Sequence, residues 1–226
     1  MADKKQLAVL DDGPTVWNRW RSRNRTVVPD FREVALRDYM LRGGNFANGD
    51  FSGADLRHAN ASGANLRGAK LVEATLHRAI LVAANLTGAN LREASLQRAK
   101  MSGSNLTDAI LREANLLRAN LSGARMLRAN LNQANLLRVN LQGANLRGAD
   151  LRNAYLHGAN LKGAVLAGAD LRGAQIERRQ LLTAIINVRT QLPKEWESIR
   201  PLIPRRAAPV AARAPSTRPI ASPAVR

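Results

Sequence analysis

The chain has no cysteine, only 4% aromatic residues, and 17 Asp+Glu against 35 Lys+Arg. Without Cys there is no disulfide framework, thiol nucleophile or thiolate metal site. The shortage of acids leaves a formal net charge of +18 on 226 residues, which sets the sign that a partner must carry. No run of about 18 apolar residues occurs, and Met1–Gly13 is polar with no apolar leader segment, so a soluble, cytoplasmic protein is expected. An apolar content of 45% suffices for a sizeable core and argues against wholesale disorder. With so few rings, that core has to be built from Leu and Ala.

What the chain has in abundance is a five-residue period. From Gly44 to Gly173 it divides into 26 consecutive units with no insertion or slip. With the centre of each unit labelled i, Phe46, Phe51, Leu56, Ala61, Leu66 and Leu71 begin a series that runs to Leu171, and 21 of the 26 are Leu. Position i−2 is Ala in 22 units, the exceptions being Gly44, Gly49, Ser104 and Val139, and position i−1 is Asn or Asp in 17. Twelve of the sixteen glycines fall at i+2. A helix at about 100° per residue would smear the Leu positions around every side, and a strand of period 2 would flip them at each repeat. The chain must therefore bend once per unit, with i and i−2 pointing into a core, i−1 outward, and i+1 and i+2 turning a corner. Many residues besides Gly occupy i+2, so this corner is not expected to demand positive φ everywhere.

The pattern A-N/D-L-x-x, as in Ala54-Asp55-Leu56-Arg57-His58 and Ala119-Asn120-Leu121-Ser122-Gly123, closely resembles the pentapeptide-repeat family. The resemblance covers over half the chain. It implies an all-β solenoid, a right-handed quadrilateral parallel β-helix with four units per coil. Short helical caps are expected at both ends. Phe46, Phe51, Leu56, Leu66, Leu71, Leu76, Leu86, Leu91, Leu106, Leu121 and Leu146 are then structural core, and so solid an interior leaves no ligand cavity.

If four units close a coil, residues 20 apart stack. Glu73, Glu93 and Glu113 share one column at i+2, with Arg92, Arg112, Arg152 and Arg172 beside them at i+1, so that face is nearly neutral. The next face carries Arg78, Arg98, Arg118 and Arg138 at i+2, spaced over about 14 Å at roughly 4.8 Å per coil. Such a column needs solvent, counter-ions or an acidic partner. Leu117 and Leu137 stack on each other between these arginines, whereas Leu127 falls on the opposite face. The Arg column and the Leu pair are the candidate interaction face. A further face, with Ser62, Ser102, Ser122 and Gln142, is smooth and almost uncharged.

A stack of parallel strands exposes backbone and core at each end and needs caps. Residues 1–28 form the expected N-terminal tail and capping helix, with Thr15 as N-cap and Val16, Trp17 and Trp20 on one side. The repeat body spans 29–176. Over 177–203, Leu181, Leu182, Ile185 and Ile186 stand at helical spacing, which predicts a helix from Glu177 to Arg189 as a C-terminal cap. In relatives with this fold such a segment can mediate homodimerisation, so the resemblance implies a tail-to-tail homodimer as the alternative. Residues 204–226 are Pro, Ala, Arg and Ser with five Arg and no acid, the composition of a disordered basic tail.

Catalysis finds no support. His77 and His157 are four coils apart, His58 is expected to have no His beside it, and the serines at i+1 lack a His on their face. No catalytic residue, metal, cofactor or small-molecule substrate is expected. The function expected is a non-catalytic rigid scaffold presenting a basic face to a protein or anionic macromolecule. Two alternatives stand beside it. One is a binder of anionic membrane or nucleic acid. The other follows from the resemblance: some family members imitate duplex DNA and occupy DNA gyrase or another topoisomerase. That mechanism needs a negative surface, and residues 44–173 carry 16 Lys+Arg against 8 Asp+Glu.

Overall fold

A computed structural model describes residues 3–196 and 198 of the chain. Its body is a single parallel stack. Asp30 bridges to Asp50, Ala35 to Asp55, Met40 to Asn60 and Asn45 to Asn65, and the offset stays at 20 residues to the bridge from Tyr155 to Gln175. Four units therefore make one coil. The core residues named above are buried along its axis, as are Phe31, Leu36 and Leu41 in the first coil and the Ala at nearly every i−2.

One unit shows how the backbone is satisfied. Leu111 N–H donates to the Asn130 carbonyl at 2.7 Å, Glu113 N–H to the Asn132 carbonyl at 3.0 Å, and Asn130 N–H to the Ala109 carbonyl at 2.9 Å. Ala114 N–H closes the turn on the Leu111 carbonyl at 3.1 Å. The remaining donor, at i+1, explains the Asn and Asp at i−1. Their side-chain oxygen accepts it, as Asn90 Oδ1 does from Arg92 N–H at 3.1 Å and Asn115 Oδ1 from Leu117 N–H at 3.2 Å. Every N–H of a standard unit thus has a partner, and each coil is fixed to the next along its whole length. Proline, which would remove one of these donors, is absent between Pro29 and Pro193.

The corner differs from the sequence expectation. From Glu33 to Gly173 every i+2 residue has positive φ, including Glu73, Arg78, Ala83 and Gln133 at 57°, 57°, 55° and 58°. The ladder leaves no choice, because the i+2 N–H is tied to the coil above at the same place where the chain turns. A non-Gly residue pays for that left-handed conformation by about 1–2 kcal/mol. Ala83→Gly should therefore raise stability by about 0.5–1 kcal/mol after the entropy of glycine is deducted. Gly88→Ala, at a corner where an added Cβ meets nothing within 4 Å, should lower it by a similar amount. Denaturant midpoints of the two single variants check this, and changes of the same sign would contradict it.

At two of the three units that place rings inside, those of Phe46 and Phe51, position i−2 yields space. A Cβ on Gly44 would lie 2.3 Å from the Phe46 ring, and one on Gly49 would lie 3.0 Å from that of Phe51. Large i with small i−2 keeps the prism cross-section constant.

The N-terminal cap is two helices rather than one. α1 (Lys4–Asp11) opens on Asp3, whose carboxylate accepts from Lys5 and Gln6 N–H. α2 (Pro14–Arg23) opens on Gly13 and not on Thr15, because Pro14 occupies the first helical position and Gly13 takes φ 91°. Side-chain amides then satisfy the first coil. Gln6 Oε1 accepts from Asp30 N–H at 3.1 Å, and Asn18 Oδ1 accepts from Asn45 N–H at 2.7 Å.

At the other end the expected helix over Glu177–Arg189 is shortened to α3 (Arg178–Thr183). Ile185 instead bridges to Val165 and Gln191 to Asp170, so the chain re-enters the stack and completes a last coil with a one-residue insertion. Leu181, Ile186 and Leu192 turn inward, while Leu182 is left exposed. Pairing with the open edge of the preceding coil satisfies groups that a longer helix would leave bare. Gln180 Nε2 donates to the Leu156 and Ala159 carbonyls at 2.7 and 2.8 Å, and Trp196 Nε1 to the Ile176 carbonyl at 3.0 Å. Among the described residues no helix is long and apolar enough to cross a membrane. The basic segment 204–226 lies outside the described residues.

Candidate interaction face

The residues of the candidate face share one corner of the rod, formed by the turns after Leu56, Leu76, Leu96, Leu116, Leu136 and Leu156. Backbone bonds stack these turns: Arg78 N–H donates to the Gln97 carbonyl, Arg98 to Leu117, Arg118 to Leu137 and Arg138 to His157, at 2.9–3.0 Å. Positive φ between 55° and 58° at the four arginines aims their side chains outward, and all four are exposed.

Their distinguishing property is electrostatic. Elsewhere on the repeats most arginines find acids, although Arg67, Arg125 and Arg147 have no ion pair among the described residues either. Arg57 and Arg37 both reach Asp55, Arg92 pairs with Glu93 at 3.2 Å, Arg112 with Glu113 at 2.9 Å, and Arg128 grips both oxygens of Asp108 at 2.7 Å. Arg152 and Arg172 pair with Asp150 and Asp170 at 2.7 and 2.6 Å. Hydrogen bonds from Arg57 hold the Asp55 carboxyl well below the usual carboxylate range, against the opposing effect of partial burial. Arg78, Arg98, Arg118 and Arg138 have no ion pair among the described residues.

Leu117 and Leu137 are half-buried rather than exposed. They form, with Arg118, Arg138, His157 and Gly158, a shallow groove that Glu177 and Arg179 close at the C-terminal end. Gly158 matters here by what it lacks: a Cβ would lie 3.2 Å from Arg138 Cγ, so the glycine lets that side chain lie along the groove. Glu177 and Arg179 were not singled out by sequence patterning. The signal was available, since continuing the five-residue frame to Ile176 places Glu177 at i+1 directly above His157.

At the N-terminal end of the same corner, the His58 and His77 rings approach to 6.2 Å between centroids, contrary to the expectation that His58 has no His beside it. The two are i+2 and i+1 of successive coils and so share the corner. Desolvation, and then the neighbouring charges of Arg78, His58, Arg98 and Arg57, push the His77 imidazole below its ordinary value. The His77 imidazole is therefore mostly neutral at pH 7 and adds little charge beside the column. Among the described residues no group of three or more His, Asp or Glu is placed to hold a metal ion.

Comparison with known proteins bears on the architecture. Residues 36–71, 69–108, 99–136 and 134–173 match a family model described as pentapeptide repeats, in 8 copies. No curated protein matches the chain. Among solved structures, a trypsin-treated form of QnrB1, a plasmid-mediated fluoroquinolone resistance protein, is similar at 16% identity with a TM-score of 0.51, covering 77% of this chain and 87% of its own. At that identity the likeness is one of fold. The pentapeptide repeat protein alr5209 from Nostoc Pcc 7120 is 39% identical, with a TM-score of 0.39, over 48% of this chain and 84% of its own.

Proposed function

We propose that this chain, which belongs to the pentapeptide-repeat family, is a non-catalytic rigid scaffold whose basic corner binds an acidic or anionic macromolecule. The rod is taken to be wound as the right-handed quadrilateral helix that the family resemblance implies. The observation that carries the reading is the contrast in pairing. Four stacked guanidinium groups stand exposed without an acid, on a scaffold that supplies acids to most of its other arginines. The ladder fixes the backbone that carries these charges, so binding orders the Arg side chains but no further backbone, which favours association by preorganisation. Stacking four unpaired guanidinium groups in one column also gives the long-range field of that corner a direction.

The same fold in QnrB1 raises the reading of a rod that imitates DNA at a topoisomerase. The charge opposes it, because the repeats carry 16 Lys+Arg against 8 Asp+Glu and no acidic column free of arginine.

The test compares the full chain with the fourfold Arg78→Gln, Arg98→Gln, Arg118→Gln, Arg138→Gln variant on poly-glutamate, duplex DNA and phosphatidylserine vesicles at low and physiological salt. The variant should melt as the parent does, because the replaced groups point to solvent. Its affinity for the preferred ligand should fall roughly 30-fold, four exposed pairs at about 0.5 kcal/mol each. Undiminished binding by the variant, or no binding by the parent to any of the three at low salt, would overturn the reading.

A further inference from the structure

We propose that the groove over Leu117 and Leu137 takes one kind of partner, an acidic amphipathic α-helix of another protein, laid along the rod. This rests on the reading of the Arg column as a partner surface and narrows it.

Three features converge. The first is the order of side chains along the corner. At i+1 it runs Arg57, His77, Gln97, Leu117, Leu137, His157, Glu177, so the apolar pair is flanked by polar groups on both sides along the rod. Beside the pair stand Arg118 and Arg138, with Arg98 and Arg78 continuing the cationic rim. An apolar centre with a charged rim is the anatomy of a protein interface. Phosphates would gain nothing from the leucines, and the groove has no Phe, Tyr or Trp to stack a base, the His157 imidazole being its one ring. Nor do the leucines suit a bilayer, since they are half-buried in a groove that they share with guanidinium groups.

The second is spacing. Four arginines at three coil steps of about 4.8 Å span about 14 Å. Acids on one stripe of a helix, at n, n+4, n+7 and n+11, span about 16 Å at about 1.5 Å per residue, and the difference lies within the swing of an Arg side chain. Same-side residues of an extended strand recur at about 6.8 Å, so four of them would span about 20 Å and overrun the column.

The third is that the one acid at the groove, Glu177, is already engaged by Arg179. It therefore does not neutralise Arg118 or Arg138, and the groove presents an uncompensated positive charge beside an apolar floor. A helix with acids on one stripe and leucines on the adjacent stripe meets both.

The experiment uses the full chain and a labelled helical peptide with Glu at n, n+4, n+7 and n+11 and Leu on the adjacent stripe. A scrambled peptide of the same composition, a short DNA duplex and phosphatidylserine vesicles are the competitors. The striped peptide should bind at least tenfold tighter than the scrambled one. Leu117→Gln with Leu137→Gln should weaken the striped peptide roughly tenfold and leave the scrambled one unaffected, with the thermal melt unchanged. Equal affinity for both peptides, or tighter binding of DNA or vesicles, overturns the helix inference while the basic-face reading stands. Failure of every probe at low salt removes both.

Discussion

Replacing Leu111 with Asp will abolish the cooperative thermal transition of the rod, while Arg112→Asp, one residue on, will leave it within a few degrees of the parent. Leu111 is fully buried in mid-rod between Leu91 and Leu131, one coil away on either side, and both of these are fully buried too. Its backbone N–H is committed to the Asn130 carbonyl at 2.7 Å, and the turn that follows closes on its own carbonyl at 3.1 Å. The side chain cannot rotate to solvent without breaking that ladder. An Asp there has to be buried, and even as the neutral acid it finds no partner among Leu and Ala side chains, at a cost of several kcal/mol on top of the lost apolar packing. That is comparable with the whole stability of a domain of ordinary size. A solenoid is held by nearest-neighbour coils, so the defect also leaves two half-rods, each with one uncapped end. Arg112 is half-exposed, and its replacement exchanges a surface pair with Glu113 for a solvent-screened surface repulsion, together worth about 1–2 kcal/mol. Circular dichroism melts of the two variants decide the matter. A Leu111→Asp protein with a sharp transition near that of the parent would show that the core is not the continuous prism described here.

The same contrast explains which parts of the molecule can be read from the chain. Inward and outward positions follow from a five-residue frame that never slips between Gly44 and Gly173, so the core is legible in the chain, whereas the stacking of Arg78 on Arg98 needs in addition the four units per coil that the family resemblance implies. The corner conformation was not. Glu73, Arg78 and Ala83 have no local preference for positive φ, and hold it because the hydrogen bonds of the next coil impose it. The Asn at i−1 was visible as a pattern but not as a cause, since its role depends on an N–H two residues on that only the turn brings within reach. The two ends depart from the sequence expectation in opposite directions. α1 is not apparent in the sequence because Met1–Gly13 is polar on average, and its burial of Gln6 and Leu10 depends on the coil it covers. The C-terminal helix was overdrawn because Leu181, Leu182, Ile185 and Ile186 suit a helix and a five-residue frame almost equally. Only the open edge of the preceding coil selects between them, and it also brings Glu177 and Arg179 to the groove.

Trp17→Ala will lower stability by about 3–5 kcal/mol and turn the N-terminal end of the rod into a site of self-association. Trp17 is fully buried although it belongs to α2 and not to the stack. Its ring lies 5.1 Å from Trp20, 5.4 Å from Phe31 and 5.3 Å from Phe46, centroid to centroid, so it bridges the cap to the ring-filled first coil. Its indole N–H donates to the Asn45 carbonyl at 2.9 Å, at an edge with no coil below it. Truncation removes the apolar anchor and this donor together, leaving α2 held to the coil chiefly through Asn18 at Gly43 and Asn45. Once α2 detaches, the first coil presents unpaired strand backbone around Phe31 and Phe46, a template for another chain. Trp17→Phe keeps the ring and loses only the hydrogen bond, so it should recover most of the stability and keep the end closed, at a cost of about 1 kcal/mol. Chemical denaturation with light scattering at rising concentration separates the three proteins. A Trp17→Ala chain that stays monomeric, with a midpoint close to that of the parent, would mean that the helices decorate the rod rather than close it.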